Sequence, residues 1–145
     1  MRFAAAAMVA SLGWTACSMA GPGHPLQFEV GKDFSLRAGE SALTRDGALR
    51  VGFEGVSTDS RCPKGVQCVW AGDAIARVWL QQGSGPRETR ELHAAPGAAQ
   101  VASVLGHDVR LVRLDPYPIN GKVIAKTDYV ATLTVSRGAT AAPER

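Results

Sequence analysis

Between Leu26 and Val135 the dominant period of the apolar residues is two rather than 3.6, which favours strands over helices. Leu26, Phe28 and Val30 alternate with polar neighbours, and Phe34 and Leu36 repeat the pattern before Gly39. Asp46-Gly47 is a hairpin signal, because both residues tolerate the positive φ of a tight two-residue turn. Beyond it Leu49, Val51 and Phe53 alternate with Arg50, Gly52 and Glu54. Ala74, Ala76, Val78 and Leu80 fall on one face of a strand, with Ile75, Arg77 and Trp79 on the other. Residues 87–93 read as a polar strand, whose charges suit a sheet edge because they discourage pairing with other chains. Val109, Leu111 and Leu114 mark another strand, and Tyr129, Ala131, Leu133 and Val135 the clearest one. Turn-forming residues separate these runs at 82–86, 94–99 and 115–118. The reading is an all-β domain over residues 26–137, with about seven or eight short strands and no helix. A small antiparallel β-sandwich fits it, with an immunoglobulin-like arrangement as one form. A small β-barrel is the alternative.

The N-terminus has another character. Met1 and Arg2 precede an Ala-rich apolar stretch that ends near Gly13, too short for the roughly 20 apolar residues that cross a bilayer. Residues 1–20 therefore read as a secretory signal peptide, residues 21–25 as a Gly/Pro tether and residues 138–145 as a flexible tail. Two processing schemes compete. Trp14-Thr15-Ala16-Cys17 has the plan of a lipobox, departing from it at Trp14, and would make Cys17 a lipidated first residue. Ser18-Met19-Ala20 is an ordinary small-x-small cleavage site. Lipidation is favoured because the chain has three Cys and a disulfide uses two. The expected location is the periplasmic face of the outer membrane, held by the lipid at Cys17, or else the soluble periplasm or exterior.

The most specific stretch is residues 59–72, Asp-Ser-Arg-Cys-Pro-Lys-Gly-Val-Gln-Cys-Val-Trp-Ala-Gly. In an exported chain Cys62 and Cys68 are most simply a disulfide. The loop is short, so the bridge shapes a local segment more than it staples a domain. The first reading of the stretch is structural: Trp70 packs beside the disulfide, Asp59 and Ser60 cap the turn, and Gly72 permits a bulge. The second is binding through the loop, and chemistry comes third. This stretch, with the Leu-Asp-Pro-Tyr-Pro segment at 114–118, resembles a group of small bacterial secreted proteins and lipoproteins that carry a similar Cys-Val-Trp-Ala-Gly ending. The resemblance spans most of the chain after the leader. It implies export and architecture and carries no activity over.

Chemical signals are weak. Five residues separate Cys62 from Cys68 and no second Cys pair exists, which argues against a structural zinc site. Neither a Cys-x-x-Cys spacing nor a helix is present for thiol redox chemistry. His24, His93 and His107 fall on a tether, a strand and a turn. Ser60, His107 and Asp108 supply the types of a catalytic triad without its nucleophile-elbow glycines. Asp59 and Asp73 form a carboxylate pair whose plainer reading is turn capping or a salt bridge to Arg61. The formal charge of +3 is spread along the chain, without the basic run that nucleic-acid partners require.

The reading reached is a non-enzymatic binding or structural module of the cell envelope, without cofactor or metal, acting through the disulfide loop. A hydrolase or a metal-binding periplasmic protein is the alternative. Three loops are candidates, at 59–72, 115–121 and 94–99. The binding candidates are Asp59, Arg61, Trp70 and Tyr117, and the partners considered are an envelope protein or a glycan.

Overall fold

A computed structural model describes residues 25–138. Cys17, His24, both cleavage sites and the tail beyond Gly138 lie outside the described residues. Nine strands run in the order β1 (Leu26–Phe28), β2 (Asp33–Arg37), β3 (Ser41–Thr44), β4 (Leu49–Asp59), β5 (Ala74–Gln82), β6 (Glu88–His93), β7 (Val101–Val104), β8 (His107–Asp115) and β9 (Val130–Arg137). A single 3-10 turn at Lys126–Asp128 precedes β9.

The strands form two sheets, ordered β1-β3-β4-β5-β6 and β2-β9-β8-β7. They face each other as a small β-sandwich and do not close, so the barrel alternative is set aside. Every pairing is antiparallel except β1 with β3, which is parallel. The order also departs from the immunoglobulin pattern, which interleaves early and late strands in both sheets. Here β3 to β6 form an unbroken meander.

The alternation of the sequence becomes the two inner faces. Leu49, Val51 and Phe53 of β4 and Ala74, Ala76, Val78 and Leu80 of β5 are buried against Val109 and Leu111 of β8 and Ala131, Leu133 and Val135 of β9. Each Val, Leu or Phe among them contributes about 1.5–3 kcal/mol by leaving water. In β8 the spacing from Leu111 to Leu114 is three rather than two. The ladder shifts register between Leu111 and Arg113, so Val112 and Arg113 both face outward and Leu114 returns to the core. The Asp46-Gly47 turn is present, and Asp46 Oδ1 accepts from the Thr44 hydroxyl and the Ala48 amide. Polar β6 is an edge strand, as its charges suggest.

On the outer face of the larger sheet Gly52 lies opposite Trp79. A Cβ on Gly52 would stand 2.1 Å from the indole ring, so only glycine lets the ring lie flat there. The Arg87 guanidinium lies over that ring, 3.9 Å from its centroid.

The register sets the two ends of the sandwich. Asp59 pairs with Ala74, Ile75 with His93, and Asp115 with Val130, so residues 60–73, 94–100 and 116–129 all leave from one end. The Asp46-Gly47 turn, the β5–β6 turn, the β7–β8 turn and Gly138 lie at the other.

Candidate functional site

The three loops singled out in the sequence meet at the first of these ends, around Arg61. Asp59 is the last residue of β4, and the chain turns back so that the Arg61 side chain runs inward beside it. Arg61 Nε donates to Asp59 Oδ1 at 2.8 Å and Nη2 donates to Oδ2 at 2.7 Å, a bidentate pair. The two side chains are only 8% and 10% exposed. Arg61 then reaches across to the other sheet. Nη1 donates to the carbonyl of Leu114 at 2.9 Å and Nη2 to that of Pro116 at 3.0 Å. The Tyr129 hydroxyl donates to Asp59 Oδ2 at 3.0 Å. One guanidinium and one carboxylate thus tie the ends of β4, β8 and β9 together. Their charges are internal, which corrects the expectation that Asp59 and Arg61 present themselves to a partner.

The electrostatics follow from this geometry. Burial pushes the Asp59 carboxyl up, but the hydrogen bonds from the Arg61 side chain, the Arg61 amide and Tyr129 outweigh it and hold the pKa below the usual carboxylate range. For Arg61 burial acts downward, and the Asp59 carboxylate more than offsets it, so the pKa rises. The Tyr129 hydroxyl is pushed up by burial and by the neighbouring Asp59 carboxylate.

Outside this pair, the disulfide loop and the 116–125 loop run side by side. Cys62 and Cys68 are bonded, with Cα atoms 5.9 Å apart. Lys64 N donates to the Pro118 carbonyl and Asn120 N to the Lys64 carbonyl, both at 3.0 Å, which makes a short parallel bridge between Lys64 and Ile119. Tyr117 follows the cis peptide Asp115-Pro116, and its hydroxyl donates to the Cys62 carbonyl at 2.8 Å. Its ring is half-exposed, with the Arg61 and Lys64 cations 5.2 and 5.7 Å from its centroid. Gly72 closes the base of the loop. It has φ +67, and a Cβ there would stand 1.7 Å from the Ser60 carbonyl oxygen. That close approach, rather than a bulge, is what requires glycine.

Trp70 does not pack beside the disulfide: it is 83% exposed, next to Val69 at 89%. The physical reason is that Gly72 and the Cys62 N to Ala71 O hydrogen bond return the chain directly to β5, leaving residues 69–70 outside the fold. Val66, Ile119 and Val123 are exposed on the same two loops, Val123 at 97%.

The triad types named from the sequence, Ser60, His107 and Asp108, do not come together. Ser60 is at the loop end, while His107 and Asp108 open β8 at the opposite end, facing Arg137 and Ser136, so Ser60 is separated from both by the length of the sandwich. The Ser60 hydroxyl is engaged with the Asp73 main chain, donating to its carbonyl and accepting from its amide. His93 and Asp73 do meet, with Nδ1 donating to Oδ2 at 2.5 Å. The other Asp73 oxygen accepts from the amides of Ala74 and Ala95, so this dyad latches the 94–99 loop onto the start of β5. Burial raises the Asp73 carboxyl, while His93 and those amides lower it further, leaving the pKa below normal. Asp59 and Asp73 are thus each spent on separate internal partners. Among the described residues no three His, Cys, Asp or Glu side chains are grouped to hold a metal ion.

Sequence reasoning found the loops and missed two features. In the sequence Tyr129 reads only as the first apolar position of the last strand, with nothing to reveal that its hydroxyl closes onto Asp59. The cations were missed too, although residues 60–72 and 116–127 contain no Asp or Glu and do contain Lys64, Lys122 and Lys126. Comparisons with family models, with curated proteins and with solved structures found no match to this chain.

Proposed function

We propose that the protein is an exported module of the cell envelope that works by binding, and that its contact surface is the disulfide-loop end. The observation that carries this is the contrast between support and surface. The support is a buried Asp59–Arg61 pair, a disulfide and a β-bridge, while the surface exposes Val66, Val69, Trp70, Ile119 and Val123. Large apolar groups held out in water on a rigid frame are an expense to a fold that gains nothing from them, and they mark interaction sites. Trp and Tyr at such a place also provide affinity at low entropic cost. The apolar leader and Cys17 support export and lipid anchorage, and the disulfide suits an oxidising compartment.

The test uses washed native envelope fragments and the chain carrying Cys17→Ser. The unsubstituted loop is retained on the fragments, and the Val69→Ser/Trp70→Ser form is not, with both melting at the same temperature. Equal retention of the two forms refutes the reading. For the anchor itself, Cys17→Ser shifts the protein from the membrane pellet to the salt-washed supernatant. Unchanged fractionation refutes lipidation.

A further inference from the structure

The geometry points to an anionic lipid bilayer as the surface on which the disulfide-loop end docks, its apolar residues entering the interface and its lysines meeting the headgroups. This rests on the binding reading above and names the partner. Two independent features of the same loops carry it. The first is shape and polarity: Val69 and Trp70 are adjacent and almost fully exposed, and Val123 is exposed on the loop bridged to theirs at Lys64 and Ile119. Small groups of exposed aliphatic residues with a Trp fit the bilayer boundary, where the indole has an apolar body and a polar N–H.

The second is charge. Lys64, Lys122 and Lys126 lie on these loops, and residues 60–72 and 116–127 contain no acidic residue. The acidic residues bordering them are mostly engaged. Asp59 is paired with Arg61, Asp73 with His93 and two amides, and Asp115 with Arg113 at 2.7 Å. Asp128 stands in the 3-10 turn with Lys126. With Asp59 and Asp115 neutralised by arginines, the three lysines outnumber the Asp73 and Asp128 carboxylates, so these loops carry a net positive charge beside their exposed apolar residues, complementary to a negatively charged headgroup layer. An acidic protein surface would meet the same cations, but it would cover Val69, Trp70 and Val123 only with a matching apolar hollow. A bilayer accepts them without one.

The experiment is sedimentation of the periplasmically expressed Cys17→Ser protein with protein-free vesicles of phosphatidylethanolamine and phosphatidylglycerol, against vesicles of phosphatidylcholine. The protein partitions onto the anionic vesicles, less so as salt rises, and weakly onto the neutral ones. Val69→Ser/Trp70→Ser/Val123→Ser reduces partition at least ten-fold. Lys64→Gln/Lys122→Gln/Lys126→Gln removes the preference for anionic lipid, roughly five-fold per lysine at low salt. These side chains are exposed, and an unchanged melting temperature confirms that each variant is folded. Partition equal to that of the serine variant overturns the proposal. If vesicles are ignored while envelope fragments still retain the protein through Trp70, the bilayer assignment falls and the binding reading stands with a protein or glycan partner. If fragments are ignored as well, both fall.

Discussion

Replacing Arg61 with Met keeps much of the side chain's bulk and removes four side-chain hydrogen bonds, two to Asp59 and one each to the carbonyls of Leu114 and Pro116. Asp59 then stays buried with only the Tyr129 hydroxyl and the Arg61 position's own amide as donors. Removing one member of a buried pair costs about 3–5 kcal/mol, because an uncompensated charge is left behind. The pair sits at one end of the sandwich, where a loosened loop admits water, so the lower figure of about 3 kcal/mol applies. A domain with about 5–15 kcal/mol of total stability loses a large part of it. The melting temperature falls by roughly 10 °C or more. Urea unfolding followed by circular dichroism measures the loss. The pH dependence gives a second check. In the parent chain the Asp59 pKa is lower folded than unfolded, so the pair's stabilisation is fully present above about pH 4 and is lost as pH falls through the folded value. In Arg61→Met burial without a partner raises that pKa instead, so the charged carboxylate is a burden that protonation relieves. The deficit of the variant is therefore largest at neutral pH and shrinks as pH falls, first through the raised value of the variant and then through the lowered value of the parent. Asp59→Asn/Arg61→Met costs less than Arg61→Met alone. A melting temperature within about 2 °C of the parent at pH 7, or a deficit that grows on acidification, refutes the reasoning.

Other substitutions test the rest of the frame. Gly72→Ala places a methyl against the Ser60 carbonyl at a positive φ and destabilises by more than about 2 kcal/mol in urea; a loss under about 0.5 kcal/mol contradicts the close approach. Gly52→Ala drives the Trp79 ring off its glycine seat and away from Arg87, and the emission spectrum shifts to the red. An unchanged spectrum contradicts that packing. Reducing the Cys62–Cys68 bond costs about 2–3 kcal/mol, as a loop this short has little closure entropy to lose, and leaves the sheets intact by circular dichroism. Global unfolding on reduction at 25 °C contradicts the local role of the bridge.

The sandwich was legible because alternation directly reports which side of a strand meets the core. Strands β4, β5 and β9 each bury three or more residues at that period, and all three stand out in the sequence. Two strands do not. In β3 only Ala42 is buried, and in β7 only Val104, so neither shows a period to detect. Their pairing depends on neighbours remote in sequence. The parallel pairing of β1 with β3 is likewise a tertiary outcome. At the loop end the disulfide is legible from the short spacing of its two Cys and from the expectation of export. The role of Arg61 was not, since a basic residue beside a cysteine gives no sign of being buried. Its partners, the carbonyls of Leu114 and Pro116, lie 53 and 55 residues away and carry no side-chain signature. The exposure of Trp70 is hidden in the sequence for a related reason. A tryptophan near a disulfide suggests packing, and only the direct return of the chain through Ala71 and Gly72 accounts for its exposure.

That the 60–72 and 116–125 loops form one supported platform is tested most directly by amide hydrogen exchange. The amides of Lys64 and Asn120 close the bridge between the loops, and that of Cys62 closes the disulfide loop on itself through Ala71. In the oxidised parent chain these three exchange far more slowly than those of Val69 and Trp70, and Arg61→Met brings Lys64 and Asn120 to the fast rate. Exchange of Lys64 and Asn120 at the rate of an open chain in the parent protein would mean that the two loops move separately, and the platform would not exist.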